Sequence, residues 1–189
     1  PYAFPAFLAT LVWKGMLNKD FGFINHVVLG GAHIPWLTDG TLAKLSILGV
    51  NLWLGFPYMF LVCLGALQSL PGDVEEAAKI DGASGLRTVW SIKLPLVLQS
   101  TVPLLIASFA FNFNNFSLIY MLTGGGPNYP GLSVPVGESD ILISMVYKIA
   151  IDSGTPNYGL ASAMSIVIFI VVGVIAWLGF RQTKTLEEL

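Results

Sequence analysis

The chain has 189 residues, 54% of them hydrophobic and only 11% charged, with a formal net charge of −2 and a mean hydropathy of +0.74. Soluble domains carry about 25% charged residues, so this composition excludes an ordinary soluble globule and points to a membrane protein. No basic cluster is present to grip phosphates, which excludes a nucleic-acid binder, and the single cysteine, Cys63, excludes an internal disulfide.

The opening residues Pro1-Tyr2-Ala3-Phe4-Pro5 contain neither an initiator methionine nor a charged n-region. The expectation is therefore a C-terminal part of a longer protein, one transmembrane domain over residues 1–189. Four apolar segments can be set against the roughly 20 residues that a helix needs to cross the hydrocarbon core. The first, Pro1 to about Leu17, is slightly short. The second, Leu45 to Leu70, is uncharged throughout. The third starts at Leu96 and stays apolar to about Leu122. The fourth runs from Gly159 to Phe180. The predicted fold is all-α, a polytopic membrane helical bundle with about four transmembrane helices.

Between the first two spans lies a mixed stretch, Asn18 to Lys44, with His26 and His33; two histidines without further ligands are weak metal evidence, so no metal site is expected. Trp13, Trp36, Trp53 and Trp177 read as interface or packing residues. Between the third and fourth spans a breaker-rich connection runs from Gly124 to Pro156. Its amphipathic part, Asp140 to Ile151, is expected to lie flat in the interface, because Asp140 and Lys148 would be stranded in lipid. Glu138, Asp140 and Asp152 are expected to be solvated on the external side. Lys79, Arg87 and Lys93 in the Pro71–Pro95 loop, with Arg181 and Lys184 in the tail, place that loop and the C-terminus in the cytoplasm by the positive-inside rule.

The 71–95 loop is the longest charge-bearing segment. Leu70-Pro71-Gly72-Asp73 stops the second span. Asp73 is a candidate N-cap for a short helix through Lys79, with Glu75 and Glu76 in its positive first turn. Gly82 can take the left-handed conformation that ends such a helix. Ser84 can cap a second helix with an apolar side of Leu86, Val89, Trp90 and Ile92, which Pro95 closes. A helix–turn–helix knob with an uncovered apolar side asks for a partner, although most polar loops between spans are only solvated connections.

Polar residues inside spans usually face a bundle interior or a wet cavity. Ser108, Phe111, Asn112 and Asn115 fall at i, i+3, i+4 and i+7, one helical face. Asn51, Gly55 and Tyr58 form a matching stripe on the second span, with Leu54 beside it and Pro57 a candidate kink. Amides for hydroxyls and a ring for a C–H face suit a carbohydrate. Interhelical hydrogen bonding suits the same residues, at roughly 0.6 kcal/mol each, and both readings stand at this point.

Glu76-Ala77-Ala78-x-x-Asp81-Gly82-Ala83, eight residues, then Ile92-x-Leu94-Pro95 resembles the "EAA" loop of permease subunits in binding-protein-dependent ABC importers. Ala107-Ser-Phe-Ala-Phe-Asn-Phe-Asn-Asn-Phe116, Leu122-Thr-Gly-Gly-Gly-Pro127 and Asn51-x-Trp-Leu-Gly-x-Pro-Tyr58 narrow the resemblance to larger membrane subunits of maltose/maltodextrin importers. It covers essentially the whole chain. The resemblance implies a type I ABC importer permease in a bacterial inner membrane. It implies sugar contacts at Leu54, Gly55, Tyr58, Ser108, Phe111 and Asn112, to which the helical-face argument adds Asn115. It implies a coupling helix bearing Glu76, Ala77, Ala78, Asp81, Gly82 and Ala83 that seats on an ATPase subunit. The implied partners are a second permease subunit, two ATPase subunits carrying ATP and Mg, an extracytoplasmic sugar-binding protein and maltose or maltodextrin.

The sequence has no His-Glu-x-x-His, Gly-x-Ser-x-Gly or Walker A pattern. The chain itself is expected to be non-catalytic and to bind no cofactor. The alternatives are a permease for another sugar or polyol and, from a different class, a non-transporting membrane scaffold or an intramembrane enzyme.

Overall fold

The computed structural model describes residues 1, 3–132, 134 and 136–187, with side chains as far as Arg181; Tyr2 and the side chain of Lys184 lie outside the described set. Eight α-helices are described: α1 Ala6–Met16, α2 Gly40–Gln68, α3 Gly72–Ile80, α4 Gly85–Thr88, α5 Leu94–Phe113, α6 Phe116–Leu122, α7 Leu142–Tyr147 and α8 Tyr158–Glu187. Wide π-helical turns occupy Ile24–Val28, Val89–Lys93 and Lys148–Asp152. Among the described residues there is no β-ladder, only an isolated bridge between Asn128 and Gly137. Three stretches are long and apolar enough to cross a membrane, Gly40–Gln68, Gly85–Phe113 and Tyr158–Arg181. The first expected span is the shorter α1, with 11 residues.

The third span differs from its predicted bounds at both ends. The third begins at Gly85, because Pro95 does not end the preceding helix. The turn Val89–Lys93 widens so that the Leu94 N–H donates to the Val89 carbonyl, and the chain passes its proline without stopping. The same span ends at Phe113 rather than near Leu122, since Asn114 and Asn115 leave the helix and α6 starts afresh. Pro57 lies inside α2 without ending it.

The chain divides into two compact units, Pro1–Phe56 with Phe111–Val172, and Pro57–Ala110 with Gly173–Leu189. The first unit has two apolar clusters. One joins Leu17, Ile47, Val50, Leu118, Ile119 and Leu122, with Trp13, Trp36 and Leu54 packed against it. The other joins Val146, Ile149, Ala161 and Ile168. Trp13 and Trp53 meet edge to face at 5.5 Å.

Polar groups organise the connections of this unit. Asn25 is fully buried; its amide donates to the Lys19 and Ile34 carbonyls at 3.0 and 2.9 Å and accepts from Trp36 Nε1 at 2.9 Å. Ser46 Oγ donates to the Trp36 carbonyl, tying the 18–36 stretch to α2. His26 and His33 meet edge to face at 6.2 Å, and no group of three potential metal ligands occurs among the described residues. Asp39 caps α2 by accepting from the Thr41 and Leu42 N–H groups.

The 123–153 connection overturns one expectation. Asp140 is not solvated, and it and Lys148 are enclosed together. They pair at 2.7 Å with side chains only 4% and 5% exposed. Asp140 also accepts from Ser144 Oγ and the Gly137 N–H. The amphipathic stretch folds as α7 followed by a π-turn at Lys148–Asp152, and the long lysine side chain reaches back along α7 to the carboxylate eight residues before it. Gly125 has a φ of +78°, and a Cβ there would overlap Asp140 and Lys148. Glycine is required at this position on both counts.

In the second unit, Gly179 of α8 packs against Ile106 of α5, where a Cβ would come within 2.9 Å. The 71–95 hairpin belongs to this unit too.

Candidate functional site

The hairpin is built as its sequence dictates, with one change. Pro71 rather than Asp73 holds the N-cap position of α3, and Asp73 joins Glu75 in the first turn, where negative charge faces the positive helix end. Gly82 sits at φ +75°, the Ala83 N–H donates to the Ala78 carbonyl at 2.9 Å, and Ser84 Oγ accepts from the Arg87 N–H. Ala78 and Thr88 are buried. Lys93 Nζ reaches Glu75 Oε2 at 2.6 Å and Lys79 Nζ reaches Oε1 at 3.3 Å. The hydrogen bond from Lys93, then that from Lys79, holds the Glu75 carboxyl below the usual carboxylate range. Glu76, Ala77, Asp81 and Gly82 are exposed. Around them Ile80, Leu86 and Trp90 are 86%, 77% and 68% exposed. Ile80 extends the apolar side that the sequence assigned to Leu86, Val89 and Trp90. A nine-residue helix cannot hide such side chains within the hairpin, and they form an exposed apolar set.

The intramembrane residues divide between the units. Tyr58 of α2 and Ser108 of α5 are half-buried in the second unit. Leu54, Gly55, Phe111, Asn112 and Asn115 belong to the first. There Asn51 Nδ2 donates to Asn112 Oδ1 at 2.8 Å, and Asn115 Nδ2 donates to Asn51 Oδ1 at 3.3 Å. Three amides from α2, the end of α5 and the start of α6 thus meet in one chain of hydrogen bonds.

Asn115 reaches this cluster by a route the helical-face argument did not foresee. It does not continue the face of Ser108, Phe111 and Asn112, because the helix is broken before it. Its side chain accepts from the Leu118 N–H and caps α6, the competition with regular helix that asparagine favours. Leu54 packs against the apolar cluster of Leu17 and Val50, Gly55 is exposed, and Phe111 presents its ring 71% exposed.

Asn51, the middle amide, was visible only as one member of a stripe. The pattern that identifies it as the bridge is its register opposite Asn112, which helical spacing within one span cannot supply. The cluster offers donors, acceptors and an open ring, with no nucleophile–base pair.

Comparison with known proteins agrees with this architecture. Residues 1–184 match the family model described as "Binding-protein-dependent transport system inner membrane component". The chain is 48% identical, over its whole length, to the maltose/maltodextrin transport system permease protein MalF of Vibrio parahaemolyticus. It is 43% identical, over 97% of its length, to the protein of the same name from Escherichia coli K12. The chain spans 36% of the length of these curated relatives. Among solved structures it resembles a chain of a bacterial ABC transporter involved in import of the acidic polysaccharide alginate, with a TM-score of 0.81 at 20% identity, covering 98% of this chain and 62% of that one. A bacterial alginate ABC transporter in complex with an alginate pentasaccharide-bound periplasmic protein gives a TM-score of 0.82 at 19% identity, again over 98% of this chain and 62% of that one. The helical fold is thus shared with chains of these transporters, and the chain belongs to the family of inner membrane components of binding-protein-dependent transport systems.

Proposed function

We propose that this chain forms part of the translocation pathway of an ATP-driven importer for maltose or maltodextrins. The observation that carries the reading is the Asn51–Asn112–Asn115 amide chain beside the open Phe111 ring. Sugar hydroxyls can replace amide–amide bonds one for one. Each neutral hydrogen bond contributes about 0.5–1.5 kcal/mol net, so the exchange is nearly balanced. Near balance suits a pathway, which must hold its cargo weakly enough to release it. The Phe111 ring offers a face for the apolar side of a pyranose. Leu54, Gly55, Tyr58, Ser108, Phe111, Asn112 and Asn115 are the proposed sugar-binding set, and the identity to maltose/maltodextrin permeases over the whole chain favours this cargo.

Drive comes through the hairpin, placed in the cytoplasm with the C-terminus. The exposed Ile80, Leu86 and Trp90 dock into an ATPase subunit, and Glu76 makes polar contact with it. The left-handed Gly82 fixes the angle between the two arms. Closure of two ATPase subunits around ATP and Mg then moves the spans that the hairpin joins, in alternating access with a second permease subunit. A sugar-binding protein delivers the cargo from the other side. The chain itself holds no cofactor and makes no covalent bond.

The test is reconstitution of the full chain with its ATPase subunits, second permease and binding protein, followed by ATPase and uptake assays with a sugar panel. Stimulation by maltose or maltodextrins, and not by polyols, is expected. Stimulation by another solute alone would replace the cargo assignment, and ATPase activity indifferent to every solute would return the chain to a scaffold role.

A further inference from the structure

One face of α6 carries an aromatic cluster that the amide chain leaves unexplained. Phe116 and Tyr120 stack with ring centroids 5.0 Å apart. Tyr147 of α7 lies 4.8 Å from Phe116 and 5.0 Å from Tyr120, tilted against both rings. The Tyr120 hydroxyl donates to Asp152 Oδ2 at 3.3 Å. All three rings are half-buried and Asp152 is exposed.

Packing alone does not account for this composition. At 100° per residue, Phe116 and Tyr120 fall on one side of α6 and Leu118 and Leu122 on the other, with Ile119 on the flank between them. That other side builds the buried apolar cluster of this unit. The aromatic side is therefore not the helix's core-forming face. It combines ring surface with two phenols and a carboxylate at an open edge. Phenylalanine and leucine would hold α6 to α7 without any of these polar groups.

We propose that Phe116, Tyr120, Tyr147 and Asp152 form a second carbohydrate subsite. It takes a further pyranose ring of an oligosaccharide whose first rings lie at the amide chain, and so it rests on the sugar-transport reading above. Position supports this occupant. Phe116 follows Asn115 directly, and Tyr120 lies five residues along the same helix, about 7.5 Å at 1.5 Å per residue. The ring faces meet the C–H face of the sugar. The Asp152 carboxylate accepts from sugar hydroxyls, and the Tyr120 and Tyr147 phenols donate or accept. No bond is made or broken; the subsite adds contacts only for substrates long enough to reach it.

The experiment is uptake by the full reconstituted transporter of maltose and of maltoheptaose, for wild type, Asp152→Asn, Tyr120→Phe and Tyr147→Leu. The KM for maltoheptaose is expected to rise about fivefold in each variant, the weight of one lost polar contact. The KM and kcat for maltose should stay within about twofold of wild type. Equal change for both sugars, or no change for either, overturns the subsite and leaves a packing cluster. Should Tyr147→Leu fail to insert, Asp152→Asn and Tyr120→Phe carry the same test with all three rings kept. Wild-type transporter that takes up neither sugar overturns the sugar-transport reading first, and the subsite with it.

Discussion

Two lysine–carboxylate pairs in this protein have nearly the same length and opposite surroundings. Lys93 reaches Glu75 at 2.6 Å in the 71–95 hairpin, with side chains 29% and 43% exposed. Lys148 reaches Asp140 at 2.7 Å in the 123–153 connection, with side chains 5% and 4% exposed. The first is a surface pair in a hairpin that leaves Ile80, Leu86 and Trp90 uncovered. The second is enclosed, and Ser144 and the Gly137 N–H complete the carboxylate's hydrogen bonds. The contrast separates a segment finished within its own chain from one that leaves its apolar surface exposed.

The sharpest break in that comparison is Lys148→Met, which leaves the Asp140 carboxylate buried and uncompensated. A loss of about 3–5 kcal/mol is expected, read as a large fall in the thermal midpoint of the full protein in detergent. The double variant Asp140→Leu with Lys148→Met should recover most of it. If the single variant is as stable as wild type, the enclosed pair is not holding the connection together. Gly125→Ala comes next, at about 1–3 kcal/mol, because the new Cβ meets the ion pair and the backbone is left-handed there; the same midpoint measures it. Asn115→Ala should cost about 1 kcal/mol through the lost cap, with hydrogen exchange rising first in α6.

On the hairpin side, Glu75→Gln should move the midpoint least, since exposed pairs contribute little and are screened by salt. Its sign with pH is fixed. The folded carboxyl titrates below its ordinary value, so the contribution is present above the ordinary carboxylate pKa and is lost as pH falls through the lowered one. A midpoint difference between Glu75→Gln and wild type that widens on acidification would contradict this. Function reverses the ranking. Glu76→Lys or Gly82→Asp should leave the protein inserted yet cut sugar-stimulated ATPase activity by tenfold or more, about 1.4 kcal/mol of coupling. Wild-type coupling in both would sink the docking role of the hairpin.

Local chemistry was legible in the sequence wherever it is settled by neighbours along the chain. Ser84 caps, Gly82 turns, and the apolar lengths of α2 and α8 can be read off directly. Readings that needed a partner distant in sequence went astray. Asp140 read as solvated because a spacing of eight from Lys148 does not announce that the two will pair across α7. Asn115 looked like the next rung of a helical face, since nothing in periodicity says which asparagine of Asn112, Asn114 and Asn115 will stop the helix. Pro95 looked like a terminator, yet the preceding turn widened to admit it. The amide chain was half legible: its members were singled out on each span, but the bridge through Asn51 depends on the register of one helix against another.

The enclosed Asp140–Lys148 pair also constrains how such a chain can drift. Either residue changed alone passes through a form with a lone buried charge, so a neutral version of this connection is reached only by two changes made close together. Gly125 narrows the route further, because the backbone that crosses the pair admits no side chain. Tyr129 and Leu132 of the same connection are exposed, where substitutions cost little, while Gly125, Asp140 and Lys148 are constrained together.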